Sequence, residues 1–407
     1  MRVLIVGSGG REHALAWKLS QSAELDELHA APGNPGIAAL GTCHPVRAED
    51  GEGLLELARA LEIDLAVIGP EGPLVAGIAD ELRYAGVAAF GPSAGAARIE
   101  GSKSFTKDVL AAAGVPTAAE LPDARPPCVI KADGLAAGKG VFVCRTQAEV
   151  EEGLRGASEL GEYVVIEEVL EGPELSVFAL TDGRHALPLA AARDHKRIGD
   201  GDTGPNTGGM GAFSPVPPFD RRGVEELVEQ VHLPVLDELA RRGTPFIGLL
   251  YAGLMLTDEG PRVLEFNCRF GDPETQAILP RIDGDLLAAL AAAAAGDLGG
   301  ATLGTSAQAA VTIVVAARNY PETGDTGSPI MGIEQAEALG ALVFQAGTAR
   351  RDGALVTSGG RILNVTGVGD DLEQARALAY EGAAAISFAG ARYRRDIGAV
   401  EASNALR

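Results

Sequence analysis

Lysine is scarce in this chain: Lys18, Lys103, Lys107, Lys131, Lys139 and Lys196 are the only six among 34 basic residues. Cysteine is scarcer. Cys43, Cys128, Cys144 and Cys268 stand far apart without a CxxC pair, which argues against a disulfide framework or a zinc site and suits a reducing, cytoplasmic compartment. Long apolar runs are also missing. The longest, Leu286–Ala295, is ten mostly alanine residues, about half of the roughly 20 that span a bilayer. Only Val3–Val6 precede the first glycine, so neither a membrane helix nor a signal peptide is expected. Positive charge is in deficit. A net charge of −22 is wrong for nucleic-acid binding, which needs clustered Lys and Arg, and serves solubility instead. No short repeat occurs, which excludes collagen-like and low-complexity chains.

What is present is enough apolar material for several cores. At 407 residues and 46% hydrophobic, the chain is expected to form two to four domains of about 100–200 residues each. Residues 1–93 alternate short apolar strands (Arg2–Val6, Leu28–Ala31, Asp64–Ile68, Val87–Phe90) with helices (Arg11–Leu19, Leu54–Leu61, Ala79–Ala85), the pattern of a doubly wound α/β domain. From about residue 120 the pattern turns β-rich, with strands at Cys128–Ala132, Val141–Cys144, Tyr163–Glu167 and Leu175–Leu180, as in an inserted unit or lid. A single helix over Arg221–Arg242, paired strands at Leu249–Leu256 and Arg262–Asn267, and an alanine-rich helix after Asp285 follow. The last hundred residues carry strands at Val311–Ala316, Leu342–Gln345 and Arg361–Thr366 and a helix at Leu372–Ser387.

Four motifs carry chemistry. Gly7-Ser8-Gly9-Gly10 joins the first strand to the first helix, but Glu12 stands where a dinucleotide fingerprint needs its third glycine, so NAD is disfavoured. The turn either offers backbone N–H groups to an anion or merely packs helix on strand. Lys131 and the Gly138-Lys139-Gly140 tip belong to a strand–loop–strand hairpin without Walker spacing, suited to a lid over triphosphate. In Val263-Leu264-Glu265-Phe266-Asn267, strand alternation puts Glu265 and Asn267 on one face and Leu264 and Phe266 toward a core. A carboxylate and an amide oxygen together suit Mg²⁺ completed by phosphate and water. Asp194-His195-Lys196-Arg197 precedes GDGDTGPNTGGMG (199–211), where six glycines in thirteen residues suggest a loop wrapped on an anionic substrate. His195 is either a general base or a hydrogen-bond donor.

The runs GSGGREHALAWKL (7–19), IDLAVIGPEGPLVAGI (63–78), FGPSAGAARIEGSKSFTKD (90–108), VIKADGLAAGKGV (129–141), DHKRIGDGDTGPNTGGMGAFSP (194–215), YAGLMLTDEGPRVLEFNCRFGDPETQ (251–276), GGRILNVTGVG (359–369) and RRDIG (394–398) resemble the phosphoribosylamine–glycine ligase family of ATP-grasp enzymes. The resemblance covers essentially the whole chain, with the stretches before Cys128 and Tyr163 shorter than usual. It implies an α/β architecture: a Rossmann-like N-terminal domain (1–98), a split ATP-grasp core (99–122 and 188–306) interrupted by a mobile lid (123–187), and a small α+β C-terminal domain (307–407). It implies that Lys103, Lys131, Gly138, Lys139 and Gly140 attend ATP phosphates, that Glu167, Val169 and Glu174 hold adenosine, and that Glu265 and Asn267 bind Mg²⁺ or Mn²⁺. The substrates would be glycine and 5-phosphoribosylamine, with Lys196, Asp202, Asn206 and Arg269 as the catalytic set. Gly9, Gly10, Arg11, Asn34, Glu71, His195, Gly208, Gly209 and Asp272 are the candidates for substrate binding. A cytoplasmic monomer without nucleic-acid or membrane partners is expected. Formate or bicarbonate in place of glycine, a non-catalytic nucleotide sensor, and an oxidoreductase are the alternatives.

Overall fold

The computed structural model describes residues 1–135, 140–161 and 163–399. The N-terminal part runs β1 (Arg2–Gly7), α1 (Gly10–Leu19), β2 (Glu27–Pro32), β3 (Thr42–Cys43), α2 (Gly51–Ala60), β4 (Leu65–Ile68), α3 (Glu71–Ala76), α4 (Ile78–Tyr84) and β5 (Ala88–Phe90). Its strands form one parallel sheet in the order β3-β2-β1-β4-β5. Helices cover both faces, which is why β1 and β4 read as unbroken apolar runs. The winding reverses between β1 and β4, so the loops after these two strands open a crevice.

Two helices, α5 (Ala94–Gly101) and α6 (Lys103–Ala113), lead into β6 (Cys128–Ala132), β7 (Val141–Cys144), α7 (Gln147–Leu160) and β8 (Val164–Glu167). These three strands form a small sheet, β7-β6-β8, with α7 against it. Thr146 and Glu149 close the start of α7 as a reciprocal capping box. The chain continues through β9 (Glu174–Asp182), β10 (Ala186–Pro188), β11 (Arg193–Asp194), β12 (Arg197–Gly199), β13 (Thr203–Asn206), β14 (Gly211–Ser214), α8 (Arg221–Leu227), α9 (Leu233–Arg241), β15 (Ile247–Thr257), β16 (Gly260–Asn267), α10 (Glu274–Ile278), β17 (Ile282–Asp283), α11 (Leu286–Ala295) and β18 (Gly304–Thr305). Asp285 caps α11 as its position before the alanine run suggests, accepting from the Ala288 N–H at 3.1 Å. The final part holds β19 (Ala309–Ala316), β20 (Asp325–Pro329), α12 (Ile333–Ala338), β21 (Leu342–Gln345), β22 (Thr348–Arg351), β23 (Ala354–Gly359), β24 (Arg361–Gly369) and α13 (Leu372–Ala385).

The span expected for the lid, 123–187, is divided between two sheets. β9 and β10 leave the β6–β8 unit and pair antiparallel in the order β10-β9-β15-β16, so the central sheet begins near residue 174. β9 is buried along almost its whole length, which makes it a core strand. The span 188–306 is shared as well: β11 and β14 join the sheet β11-β14-β19-β24-β21 of the C-terminal part. A third unit, β20-β23-β22, has no counterpart in the expected strands, because Asp325–Pro329 (DTGSP) has no apolar alternation.

The expected helix over 221–242 is interrupted. Pro234 lacks the N–H that would bond back into the preceding turn, and the ladder widens to a π turn over Val228–His232 between α8 and α9. His232 within that turn is wholly buried, with Nε2 3.2 Å from the Leu250 carbonyl and Nδ1 without a partner. Burial holds its imidazole down to about 4, and His13 and His195 are held equally low. Unfolded histidine takes up its proton near pH 6.5, roughly, and these native rings do not. Acidification from 6.5 toward 4 therefore favours the unfolded chain. The urea midpoint should fall as pH drops through that window, and His232→Leu should flatten the slope there whatever it does to the midpoint at pH 8.

Candidate active site

One cleft of about 1520 Å³ runs between the β1/β4 loops, α5 and α6, the β6–β8 sheet, β16 and the C-terminal sheet. On one side of it Glu167, at the end of β8, meets two ammonium groups: Lys107 Nζ at 2.7 Å and Lys131 Nζ at 2.6 Å, all three side chains being at most 10% exposed. Lys131 also donates to the Leu264 carbonyl at 2.9 Å. Lys103 opens α6, with its Nζ on the Gly134 carbonyl at 2.7 Å. Its N–H and the Ser104 hydroxyl donate to the Asp133 carboxylate at 2.5 and 2.7 Å. The loop after β6 is thereby seated on the start of α6, where a carboxylate suits the helix dipole.

Opposite stand Glu265 and Asn267. The register of β15 and β16 slips between Gly253 and Leu254, so a bulge breaks the alternation expected of this strand. Val263 and Phe266 face the core, whereas Leu264 is half-buried and its carbonyl meets Lys131. Glu265 and Asn267 both line the cleft. Depth in the cleft works against the Glu265 charge, but Lys196, Lys131 and Lys103 outweigh it and hold the carboxyl below its usual range. Lys196 Nζ lies 2.7 Å from Glu174, 3.9 Å from Glu265 and 4.0 Å from Asp194. Burial opposes its charge, and these three carboxylates override that and push its pKa well up. Glu174, expected at adenosine, thus tethers Lys196 in this structure.

Arg269, just past β16, is clasped by Glu71 from the start of α3 and Glu100 from α5, each at 3.1 Å. Burial alone would raise the Glu71 carboxyl, but Arg269 and Arg11 bring it down to about 2. Glu100, more deeply buried, is raised despite Arg269 and accepts from the Cys268 N–H at 2.7 Å. Arg11 reaches the cleft wall while bound to Glu12 at 2.6 Å. Glu12 also takes the Gly9 N–H at 2.5 Å and fills the turn: a Cβ at Gly7, Gly9 or Gly69 would lie 2.0–2.7 Å from it. The first helix start is therefore closed by its own acid, and Gly9 and Gly10 lie outside the cleft lining. Gly10 instead allows contact with Asn364, whose Nδ2 a Cβ would meet at 2.1 Å. Asn34 is also outside, its amide donating to the Ser8 and Gln345 carbonyls at 2.9 and 2.8 Å and accepting from Gly36 and Ile37.

His195 and the glycine-rich loop after it, through Asp202, Asn206 and Gly208, form the remaining wall. Gly209 lies behind it with φ +106, and a Cβ there would stand 2.4 Å from Pro273 Cδ. Asp272 is held by Arg361 at 3.2 Å and Gln276 at 2.8 Å. Arg361 also donates to the Gly208 carbonyl at 2.5 Å, and the Tyr320 hydroxyl accepts from the Gly208 N–H at 2.9 Å. Gly140 and Val169 line the cleft too, while Gly138 and Lys139 lie outside the described residues. Sequence reasoning missed Lys107, Glu100 and Arg361 as cleft residues. The scarcity of lysine pointed toward Lys107; Glu100 and Arg361 carry no local signal.

Residues 1–100, 101–275 and 310–400 match, in turn, the family models described as the N domain, the ATP-grasp (A) domain and the C domain of phosphoribosylglycinamide synthetase. The phosphoribosylamine–glycine ligase of Streptomyces coelicolor is 50% identical, the alignment covering 98% of this chain and 99% of that one. The chain belongs to the phosphoribosylamine–glycine ligase family. The enzyme of that name from Rhizobium meliloti is 48% identical, with 98% of both chains covered. The crystal structure of the phosphoribosylamine–glycine ligase of Thermotoga maritima superposes with a TM-score of 0.83 at 38% identity, covering 97% of this chain and all of that one. The biotin carboxylase domain of a 2-oxoglutarate carboxylase from Hydrogenobacter thermophilus, solved with MgADP and bicarbonate, shares the fold alone, at a TM-score of 0.70 and 16% identity over 96% of this chain and 91% of that one.

Phosphoribosylamine–glycine ligases of this ATP-grasp type use ATP and a divalent metal, and the donor set fits that need. Among the described residues no three His, Cys, Asp or Glu side chains gather as a ready cation site. Glu265 and Asn267 offer two hard oxygen ligands, leaving the other positions to phosphate and water. The paired lysines opposite carry their own consequence. Glu167→Gln would leave two buried ammonium groups without their carboxylate, and should cost about 3 kcal/mol of stability. Adding Lys107→Met should recover part of that loss in the same thermal or urea melts, because one uncompensated charge is removed.

Proposed function

We propose that this chain joins glycine to 5-phosphoribosylamine at the expense of ATP, giving glycinamide ribonucleotide, ADP and phosphate through glycyl phosphate. The observation that carries the reading is the meeting, in one cleft, of Lys103 and Lys131 with Glu265 and Asn267, beside the Lys196 and Arg269 clusters. Lys103 and Lys131 neutralise the nucleotide phosphates, the backbone at Val169 and the Glu167–Glu174 segment hold adenosine, and the Gly138–Gly140 tip completes the phosphate side. Glu265 and Asn267 hold the metal, Mg²⁺ or Mn²⁺, which when bound offsets charge on the transferring phosphoryl group.

A glycine carboxylate is a poor electrophile until it accepts a phosphoryl group. Lys196, already held charged in the cleft, steadies the carboxylate as it attacks, and Arg269 fixes the oxygens, so catalysis is positioning and electrostatics. The amine of phosphoribosylamine then attacks the acyl carbon and phosphate leaves. Asp202, Asn206, His195, Gly208 and Asp272 form the wall on the substrate side, with Arg11 and Glu71 at its N-terminal end. Because acyl phosphate and phosphoribosylamine both hydrolyse easily, the β6–β8 unit serves to exclude water. The chain acts on small molecules as a cytoplasmic monomer; its −22 charge is unsuited to nucleic acid, and among the described residues no helix is long and apolar enough to cross a membrane.

ADP release should require Mg-ATP, glycine and freshly generated phosphoribosylamine together; release with formate or bicarbonate in place of glycine would overturn the substrate assignment. Glu265→Ala should lower kcat by roughly 10²–10³-fold, the scale of losing one electrostatic contact in a transition state, with an unchanged melting profile. Near-normal turnover would remove Glu265 from the metal site.

A further inference from the structure

The RRDIG segment (394–398), near the end of the described chain, lies far in sequence from the cleft, yet its Arg394 is among the largest fully buried side chains, 1% exposed. All five of its N–H groups are engaged. Nε and Nη2 grip Asp396 as a fork at 2.8 and 2.6 Å. Nη1 donates to Asp202 at 2.7 Å and to the Arg197 carbonyl at 2.9 Å. The remaining N–H of Nη2 points to His195 Nδ1 at 3.4 Å. The neighbouring backbone completes the grip: Asp396 accepts from the Gly201 N–H and Asp200 from the Arg395 N–H, both at 2.8 Å. Asp200, Gly201 and Asp202, the tip of the β12–β13 hairpin, are therefore all fastened to residues 394–396. Asp202 sits there at φ +53, a conformation that a non-glycine residue keeps only when its surroundings impose it.

We propose that Arg394 is a positioning residue for the substrate side of the cleft, locking the β12–β13 hairpin beside Lys196 and holding His195 as an Nε2–H donor to an anionic substrate oxygen. A guanidinium only donates, so the His195 nitrogen that faces it must accept, and the ring proton resides on Nε2. That nitrogen is buried without a partner in a residue that lines the cleft. The charged groups around the ring are Arg394, Asp202, Asp396 and Arg193; burial, Arg394 and Arg193 keep it neutral against the opposing pull of Asp202 and Asp396. His195 is therefore a donor and not a base, and Asp202 acts through Arg394 without touching substrate. The inference rests on the ligase reading only for the identity of the substrates.

Three variants and one spectrum test it. Arg394→Met should lower kcat/KM for glycine or phosphoribosylamine by roughly 10–100-fold, the scale of losing a charged hydrogen bond, while the ATP dissociation constant stays within threefold. Arg394→Lys should not rescue it, because three donors cannot make five contacts. Asp202→Asn should add nothing to Arg394→Met, whereas multiplying losses would put Asp202 on the substrate and overturn the coupling. Nitrogen-15 NMR of His195 in the unmodified protein should show the proton on Nε2, and a proton on Nδ1 would overturn the proposal even if Arg394→Met failed to fold. An active enzyme whose Arg394→Met variant keeps normal kinetics for both substrates refutes the proposal alone; an enzyme inactive with glycine refutes the ligase reading and leaves the NMR result to decide the histidine.

Discussion

Glu167 holds two buried ammonium groups at once, and the same constraint recurs around the whole cleft. Most of its buried cations are matched by carboxylates: Lys107 and Lys131 by Glu167, Lys196 by Glu174, Asp194 and Glu265, Arg269 by Glu71 and Glu100, Arg394 by Asp202 and Asp396; Lys103 rests on the Gly134 carbonyl instead. A buried cation without a counter-ion costs several kcal/mol, so these carboxylates are what let the positive groups keep their charge in the cleft. The 56 acidic residues against 34 basic ones supply that surplus.

The cleft belongs to no single domain. The N-terminal part contributes Glu71, the grasp region contributes its lysines and β16, and the C-terminal part holds the glycine loop from behind through Tyr320, Arg361 and Arg394. Two strands flanking that loop, β11 and β14, extend the C-terminal sheet itself. The loop is thus anchored at both ends and along its length, and the glycines are needed where Pro273 and Arg361 approach its backbone.

Much of the fold was legible because its elements carry their own pattern. β1 and β4 are apolar without interruption, α11 has Asp285 before ten apolar residues, and β16 keeps Glu265 and Asn267 at strand spacing. The failures have equally local causes. Nearness in sequence suggests the lid for β9, whereas its burial along nearly its whole length and its pairing with β15 place it in the central sheet. β11 is two residues long and β20 has no apolar alternation, so neither is visible without the strand it pairs with. The bulge that takes Leu264 out of the core is hidden in the sequence because it arises from the register with β15.

By itself the sequence determined which residues could do chemistry and how neighbours along one element are spaced: Glu265 and Asn267 two apart in β16, the turn at Gly7–Gly10, six lysines that stand out among arginines, and membership in a ligase family. Only the tertiary structure decided which charges meet. Lys107 and Glu167 come from a helix and a strand of different units, and Arg394 and Asp202 are 192 residues apart. Spacing within a strand or helix follows from covalent geometry and can be counted in the sequence. The partner of a buried charge depends on how separate elements pack, and no local pattern records it.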